Sequence, residues 1–402
     1  MKIMTSYKFR IYPAKEQSTK IEETFRSVKF IWNKNVEIFN SYKKGDKLNY
    51  ISTTVLRQEF DFLQKVSAGA LQQMEINFKD TLKQFFNKNR KKKLGRPQFK
   101  KEQNSYQLPN KKYQIHGNKI RLEKIGLVDI EIDRIIPSNV KYYSCTVSKS
   151  KSGKYFVSIT FSQDEQLFEK TNKAVGIDLG LKTLVVASNG KEFETKKYLR
   201  KSQRRIKKLN KHLSRKVKGS KRYIKNRIKL ARTHEKVANQ RKHNNHLISH
   251  ELTRDFDFIS IENLNVSGLL KNRKLSKSIS DAGWSQLVSF LEYKAKNRGK
   301  ILQRIDRFFP SSKMCRFCGL IKEDLSLSDR EWQCECGHLH DRDLSASINI
   351  LYEGLRTYYR LENIQSLSDM EQKSDKGIQL DLRLVESLCT SVEVSTTKIK
   401  IG

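Results

Sequence analysis

The sequence predicts a multidomain α+β fold that combines a helical domain, a small β-barrel domain, and an α/β domain with an inserted cysteine ribbon. The first observation behind this prediction is length, because 402 residues exceed what one hydrophobic core usually organises. The second is that helical and strand periodicities occupy separate stretches of the chain. The third is that four of the six cysteines cluster between positions 315 and 336.

The helical domain is predicted over residues 14–96. It follows a strand over residues 1–13, which Pro13 ends. From Ile21 to Phe39 apolar residues recur every three or four positions, a spacing typical of an amphipathic helix. Two further segments around Leu56 and Leu71 share this spacing. A basic run at 88–93 and a Gly-Arg-Pro breaker close the domain.

The β-barrel domain is predicted over residues 1–13 and 97–170. Residues 142–162 alternate β-branched and aromatic side chains with polar ones, and a turn at Ser152-Gly153 divides them. That pattern indicates a β-hairpin. Small barrels of this kind commonly bind nucleic acid on a basic face. The pattern leaves open whether the barrel closes.

The α/β domain is predicted over residues 172–310 and 341–352. Two apolar runs, at 174–177 and 256–261, indicate buried strands, and they lead into Asp178 and Glu262. A third acid, either Asp341 or Asp343, follows the cysteines. Burying a carboxylate is costly unless it is paired or coordinates a cation. One such acid alone is most often an ordinary strand-end residue. The three together predict a Mg²⁺ site, because two ions about 3.5–4 Å apart can drive phosphodiester hydrolysis.

The cysteine cluster predicts a structural zinc ribbon over residues 311–340. Cys315-x-x-Cys318 and Cys334-x-Cys336 form two short knuckles, and four thiolates suit one Zn²⁺ with no position left open for water. His338 or His340 is an alternative ligand in place of one cysteine. The pair also matches the His-hydrophobe-His pattern of single-strand transposases, a match that arises easily by chance. Residues 353–402 receive no assignment.

The charge of the chain predicts a nucleic-acid partner. Lys and Arg number 81 against 43 Asp and Glu, which gives a formal net charge of +38. Between positions 195 and 250 Glu235 is the only acid, and apolar spacing indicates a helical hairpin broken at Gly219-Ser220. The alternative is a merely solvated face. The residues predicted to contact phosphates are Lys207, Lys208, Lys211, Arg215, Lys221 and Arg222.

Nothing in the sequence resembles a membrane span or a signal peptide, so a membrane partner is not expected and a cytoplasmic location is.

With these residues in view, the chain resembles the TnpB family of insertion-sequence-encoded proteins, which is similar to the compact type V CRISPR effectors. The string GIDLGLK at 176–182 resembles the first RuvC motif. The segment at 261–284 resembles the second. The strings FPSSKMCRFCG and WQCECGHLHDRDLSASINIL, at 309–319 and 332–351, resemble the zinc ribbon of the family and its third motif. The resemblance covers most of residues 1–352.

The resemblance implies an RNase H-like (RuvC) nuclease domain with a zinc-ribbon insertion, a helical recognition domain and a wedge-like barrel. It implies Asp178, Glu262 and Asp343 as the catalytic residues that bind two Mg²⁺, and the four cysteines as ligands of one structural Zn²⁺. Ser345 and Ser347 depart from the family pattern, which commonly has Asn and Ala at those positions.

The implied activity is RNA-guided DNA cleavage in a prokaryotic cytoplasm, with a guide RNA from the mobile element and double-stranded target DNA as partners. A monomer is expected. The rival functions are a cleavage-free RNA-guided regulator and a strand-transferring transposase or accessory protein.

Overall fold

The computed structural model describes residues 2–42, 50–87, 89–90, 94–164, 168–326 and 329–359. The chain divides into a first unit at 1–165 and a second at 166–402. Helices and strands are mixed in both units, so the predicted combination of α and β structure is confirmed. Most of the predicted basic run at 88–93, Cys389 and residues 360–402 of the predicted tail lie outside the described residues.

The helices of the first unit are α1 (Lys15–Ser41), α2 (Thr53–Glu59) and α3 (Ala68–Phe86), with a 3₁₀ turn at Asp61–Leu63. The apolar stripe predicted from Ile21 to Phe39 lies on the buried face of α1. Serines begin the two shorter helices, since the Ser52 and Ser67 hydroxyls accept the backbone N–H groups of Val55 and Ala70.

Seven strands form the sheet of the first unit. They are β1 (Lys2–Tyr12), β2 (Ser105–Pro109), β3 (Tyr113–His116), β4 (Lys119–Leu122), β5 (Gly126–Glu131), β6 (Lys141–Lys149) and β7 (Tyr155–Asp164). The order is β2-β6-β7-β1-β5-β4-β3, and all the pairs are antiparallel. Among the described residues no backbone ladder joins β2 to β3, so the sheet approaches a barrel without a hydrogen-bonded closure. The predicted hairpin is β6–β7, and its turn uses Gly153 at φ 87°.

Five strands form the central sheet of the second unit. They are β8 (Ala174–Asp178), β9 (Thr183–Ala187), β10 (Glu192–Glu194), β11 (Phe258–Ile261) and β12 (Ile301–Arg304). Their order is β10-β9-β8-β11-β12. Strands β8, β11 and β12 are parallel, whereas β9 pairs antiparallel with both β8 and β10. Parallel pairing brings the carboxyl ends of β8 and β11 to the same edge of the sheet.

Six helices accompany this sheet in the described residues: α4 (Tyr198–Ser214), α5 (Lys221–Asp255), α6 (Val266–Leu269), α7 (Ser276–Ala282), α8 (Trp284–Asn297) and α9 (Arg342–Tyr358). The predicted break in the basic hairpin falls between α4 and α5, where the Ser220 hydroxyl caps α5 by accepting the N–H of Tyr223 at 3.1 Å. Helix α9 crosses β8 so closely that a Cβ on Gly176 would lie 2.1 Å from the Ser347 carbonyl oxygen. Helix α9 extends to Tyr358, and its last turns bury Leu355.

The cysteine ribbon consists of strands β13 (Glu331–Gln333) and β14 (Leu339–Asp341) with a β-bridge between Met314 and Ile321. Strand β14 leads directly into α9, so the ribbon and the helix share a continuous backbone. No helix in the described ranges has both the length and the apolarity needed to cross a membrane.

Candidate active site

Two acids lie next to each other at the carboxyl ends of neighbouring strands of the central sheet. The last registered pair between β8 and β11 is Ile177 with Ile261, and the next residue on each strand is Asp178 or Glu262. Because the strands are parallel neighbours, both carboxylates project from one edge of the sheet. The apolar residues before them are buried, and this burial is what holds the strand ends in place.

The third acid comes from the first turn of α9. The sequence left Asp341 and Asp343 as alternatives, and the structure gives them different surroundings. The Asp341 carboxylate caps α9 by accepting the N–H of Leu344 at 2.8 Å. Asp343 is close enough to Asp178 to raise its pKa electrostatically. The structure therefore brings Asp343 together with the two strand-end acids.

The three acids have unequal electrostatic surroundings. Burial, followed by the charges of Glu262 and Asp343, raises the pKa of Asp178 to about 7. Burial also raises the pKa of Glu262, and the Ser311 hydroxyl opposes that rise by donating to Oε1 at 2.6 Å. Asp343 pairs with Arg330, whose Nη1 lies 2.8 Å and 3.1 Å from its two carboxylate oxygens. Three partly buried carboxylates that repel one another form a site suited to a cation.

The four cysteines of the ribbon bring their sulfur atoms close together. Within the described residues they are the one set of three or more His, Cys, Asp or Glu residues whose ligand atoms all lie within 4.8 Å of one another. The Sγ atoms of Cys315 and Cys336 are 3.6 Å apart, and those of Cys318 and Cys334 are 3.5 Å apart. Tetrahedral Zn–S bonds would place the sulfurs about 3.8 Å apart, so the four residues fit one zinc ion.

Both histidines of the ribbon support cysteines. A hydrogen bond from His338, whose Nδ1 lies 3.3 Å from the Cys336 sulfur, is the main reason that the pKa of Cys336 falls to about 6. A low pKa favours the thiolate that a metal needs. His340 Nε2 lies 3.2 Å from the sulfur of Cys315. All four cysteines converge without either histidine in the set, so they remain the ligand group.

His340 also connects the ribbon to α9. It is fully buried and stacks on Trp332, with ring centroids 4.4 Å apart. Its Nδ1 lies 3.2 Å from the hydroxyl of Ser345, one of the two serines that depart from the family pattern. A hydrogen-bonded chain thus runs from the Cys315 sulfur through His340 to the first turns of α9, two residues beyond Asp343. Its burial also makes His340 an unsuitable ligand for a second, catalytic metal.

The six predicted phosphate-contacting residues lie on the α4–α5 hairpin or in its turn, and all six are exposed. In the described ranges none of their side chains makes an ion pair, although ion pairs are frequent elsewhere in the second unit. Helix α4 is attached at its N-terminus to α7, since the Asp281 carboxylate accepts the backbone N–H of Leu199 at 3.0 Å. The hairpin therefore presents unneutralised positive charge to solvent.

The sequence did not predict the roles of three residues at this site: Ser311, Arg330, and His340 as the link between the ribbon and α9. Ser311 belongs to the segment at 309–319 that resembles the zinc ribbon of the family. Its hydroxyl meets Glu262 only because the loop after β12 folds back toward that residue, which the sequence does not reveal. Arg330 had no signal, because it is one of many arginines.

Models of three families match the chain. One described as "Probable transposase" matches residues 157–273, "Cas12f1-like, TNB domain" matches 284–350, and "Helix-turn-helix domain" matches 1–47. A Streptomyces pristinaespiralis protein named "Putative RNA-guided DNA endonuclease" is 35% identical over 362 residues, which cover 88% of this chain and 90% of that protein. The chain belongs to the TnpB family.

Other relatives extend the TnpB assignment along the chain. InsQ of Escherichia coli K12, which is also named a putative RNA-guided DNA endonuclease, is 27% identical over 94% of this chain and 99% of its own length. The TnpB-like protein L79 of Acanthamoeba polyphaga mimivirus is 24% identical over 89% and 74%, respectively. Among solved structures, a Cas12f1–sgRNA–target DNA complex aligns over 87% of this chain and 98% of its own, with 13% identity and a TM-score of 0.45.

Proposed function

We propose that this TnpB-family protein is an RNA-guided DNA endonuclease encoded by a transposable element, and that Asp178, Glu262 and Asp343 are its catalytic residues. The observation that carries the proposal is geometric: the parallel strands β8 and β11 end side by side in Asp178 and Glu262, and Asp343 lies near enough that it and Glu262 help to raise the pKa of Asp178 to about 7. Nuclease chemistry uses such a group, because a carboxylate that is costly to ionise alone becomes a strong ligand once a cation arrives.

Two Mg²⁺ ions held by these acids would supply a polarised phosphate, an activated water and stabilisation of the leaving oxygen. Asp178 is the acid whose pKa both of the others raise, so it would be the residue suited to face both ions. Ser311 orients Glu262 through its hydrogen bond. Arg330 pairs with Asp343 and offsets its charge. Among the described residues the three acids are not a set whose ligand atoms all lie within 4.8 Å of one another. Mg²⁺ usually keeps several waters among its ligands, so the acids need not supply every ligand.

The zinc ribbon would have a structural role. Four thiolates leave no coordination position for substrate. The ribbon continues into α9, which carries Asp343, and Arg330 immediately precedes β13. Zinc would therefore act on catalysis through the position of Asp343, and Arg330 would share in that positioning.

The partners proposed are a guide RNA from the mobile element and double-stranded target DNA. The bacterial relatives are named as putative RNA-guided DNA endonucleases. If base pairing selects the target, the protein needs mainly backbone contacts, which suits the net charge of +38. The helical domain at 14–96 and the barrel at 1–13 and 97–170 would hold the heteroduplex and read a short adjacent motif. The protein would act as a monomer in the prokaryotic cytoplasm.

The rival functions have less support. A cleavage-free regulator is expected to lack one of the acids, whereas this chain retains all three. The transposase pattern at 338–340 places one of its two histidines in the interior against Cys315, where it cannot serve a catalytic metal.

The test is to sequence RNA that copurifies with the protein and to present DNA that matches its guide portion. Mg²⁺-dependent cleavage is expected for the native protein. Asp178→Ala is expected to abolish cleavage while RNA and DNA binding stay near normal. Glu194→Gln, which alters an exposed carboxylate at the edge of the same sheet, is the matched control and should cut normally. Cutting by Asp178→Ala would remove this site from the mechanism.

A further inference from the structure

One aromatic side chain near the acid site is left almost wholly in solvent. Phe308, in the loop after β12, is 85% exposed. Its neighbour Phe309 turns the other way and packs against the buried cluster that contains Met314 and Ile348. Isolated exposed apolar residues are common on proteins and require no function. The position and the fixed backbone of Phe308 are what distinguish it.

The loop that carries Phe308 is attached to the chain on both sides of Glu262. The Ile305 N–H donates to the Ile261 carbonyl at 3.0 Å, and the Arg307 Nε donates to the Asn263 carbonyl at 3.3 Å. Farther along the loop, the Ser311 hydroxyl donates to Glu262 itself at 2.6 Å. Phe308 therefore lies on a short segment whose two ends are fixed beside one of the proposed catalytic acids.

The backbone of Phe308 is also held locally. Its N–H donates to the Asp306 carboxylate at 2.8 Å, in a turn that a short acidic side chain stabilises. The residue before it, Arg307, is exposed and cationic. An aromatic ring and a guanidinium thus lie next to each other on an ordered turn that opens to solvent.

This combination matches the way proteins hold single-stranded nucleic acid. Aromatic rings stack on bases of any sequence, and neighbouring cations contact the phosphates. Stacking that ignores sequence suits an enzyme whose target is chosen by base pairing. A duplex keeps its bases stacked on one another, so the ligand of an exposed ring is an unpaired nucleotide.

We propose that Phe308 and Arg307 form a binding site for one unpaired nucleotide of the DNA strand that is being cut, next to Glu262. The inference rests on the proposed function, because DNA must be the substrate. Phe308 would stack on the base and Arg307 would contact its phosphate. The site would hold the strand while the bond near the carboxylates is hydrolysed.

The test uses the full chain with its RNA and the Asp178→Ala change, so that DNA is bound and not consumed. Single-stranded oligonucleotides carry 2-aminopurine at successive positions, because stacking quenches its fluorescence. We expect quenching at one position near the cleavage site. Phe308→Ala should abolish that quenching and weaken binding by about 5-fold or more. Phe308→Trp should restore both, and Leu320→Ala, at an exposed ribbon position, should change neither.

The outcomes separate this inference from the function on which it rests. If native protein fails to cut matched DNA, the proposed function fails, whereas the quenching experiment still decides the role of Phe308. Equal quenching and affinity in Phe308→Ala would overturn the inference. So would full restoration by Phe308→Leu, since an aliphatic side chain packs but does not stack. Thermal unfolding confirms folding, and no loss of stability is expected at so exposed a position.

Discussion

At the scale of single residues, the site consists of three carboxylates with three different surroundings. Asp178 is held among other acids, Glu262 accepts a serine hydroxyl, and Asp343 pairs with an arginine. Because of these differences, Asp178 is the acid whose charged form a bound cation would stabilise most. They also predict how the protein responds to pH.

Without Mg²⁺, the stability of the second unit should fall as pH rises from about 5 to 7. The pKa of Asp178 is raised to about 7 from an ordinary value of 3.8. In this range the native state keeps a proton that the unfolded state has lost, so deprotonation favours unfolding. The fall should level off above pH 7. With Mg²⁺ the trend reverses, because the ion binds the carboxylate form. Thermal unfolding with and without Mg²⁺ across this range measures both effects.

Asp178→Asn should make the metal-free decline with pH shallower, leaving the smaller part that comes from Glu262, whose pKa is also raised. Glu194→Gln should leave the decline unchanged, since that carboxylate is exposed. Stability of the metal-free native protein that increases over this range would contradict the electrostatic account of the site.

Asp341 and Asp343 should separate stability from catalysis. Asp341→Ala removes the cap of α9 and should cost about 1 kcal/mol, which lowers the melting temperature by about 2–4 °C. It should leave much of the cleavage intact. Asp343→Asn should abolish cleavage with little loss of stability, because Arg330 is exposed enough to be solvated once its partner is neutral. Melting curves and single-turnover cleavage assays of the two variants measure these effects. Loss of cleavage in Asp341→Ala with normal cleavage in Asp343→Asn would reverse the two assignments.

At the scale of elements, local patterns predicted well what local forces determine. The periodicities located α1 and α3, and the apolar runs before Asp178 and Glu262 located β8 and β11. Parallel pairing of those strands then brings their ends together. Contacts such as His340 with Cys315 and Ser345, or Arg330 with Asp343, depend on how the ribbon folds onto α9. No periodicity encodes that packing, which is why the sequence left the choice between Asp341 and Asp343 to family resemblance.

The chain of hydrogen bonds from the ribbon to α9 predicts that His340 affects zinc binding. Replacing it with Ala removes a buried partner from both Cys315 and Ser345, and zinc affinity should fall by roughly 10- to 100-fold. Competition with a chromophoric chelator measures the affinity, and the melting temperature should fall as well. Leu339→Ala is the matched control, because this exposed residue lies between the two histidines and should leave zinc affinity unchanged. Equal effects from the two variants would argue against the connection through His340.

At the scale of the whole molecule, the excess of positive charge is both general and local. The net charge of +38 attracts any polyanion at long range. Helix α4 and the turn after it concentrate cations and contain no acid, and Asp281 fixes the start of α4 to α7. Diffuse charge and a fixed basic hairpin predict different responses to salt, so an experiment can separate them.

Replacing Lys207, Lys208, Lys211 and Arg215 with Gln should weaken nucleic-acid binding and flatten its dependence on salt. Each phosphate contact releases counterions, so losing four should reduce the slope of log affinity against log salt by about 3. The control replaces four cations of the second unit that already pair with acids: Lys191, Lys196, Arg254 and Arg304. Both variants lower the net charge by four. Since acids offset the control residues locally, their loss should change the slope little. If both slopes fall equally, total charge governs binding and the hairpin has no special role; if only the first falls, α4 is the surface that carries the phosphate backbone.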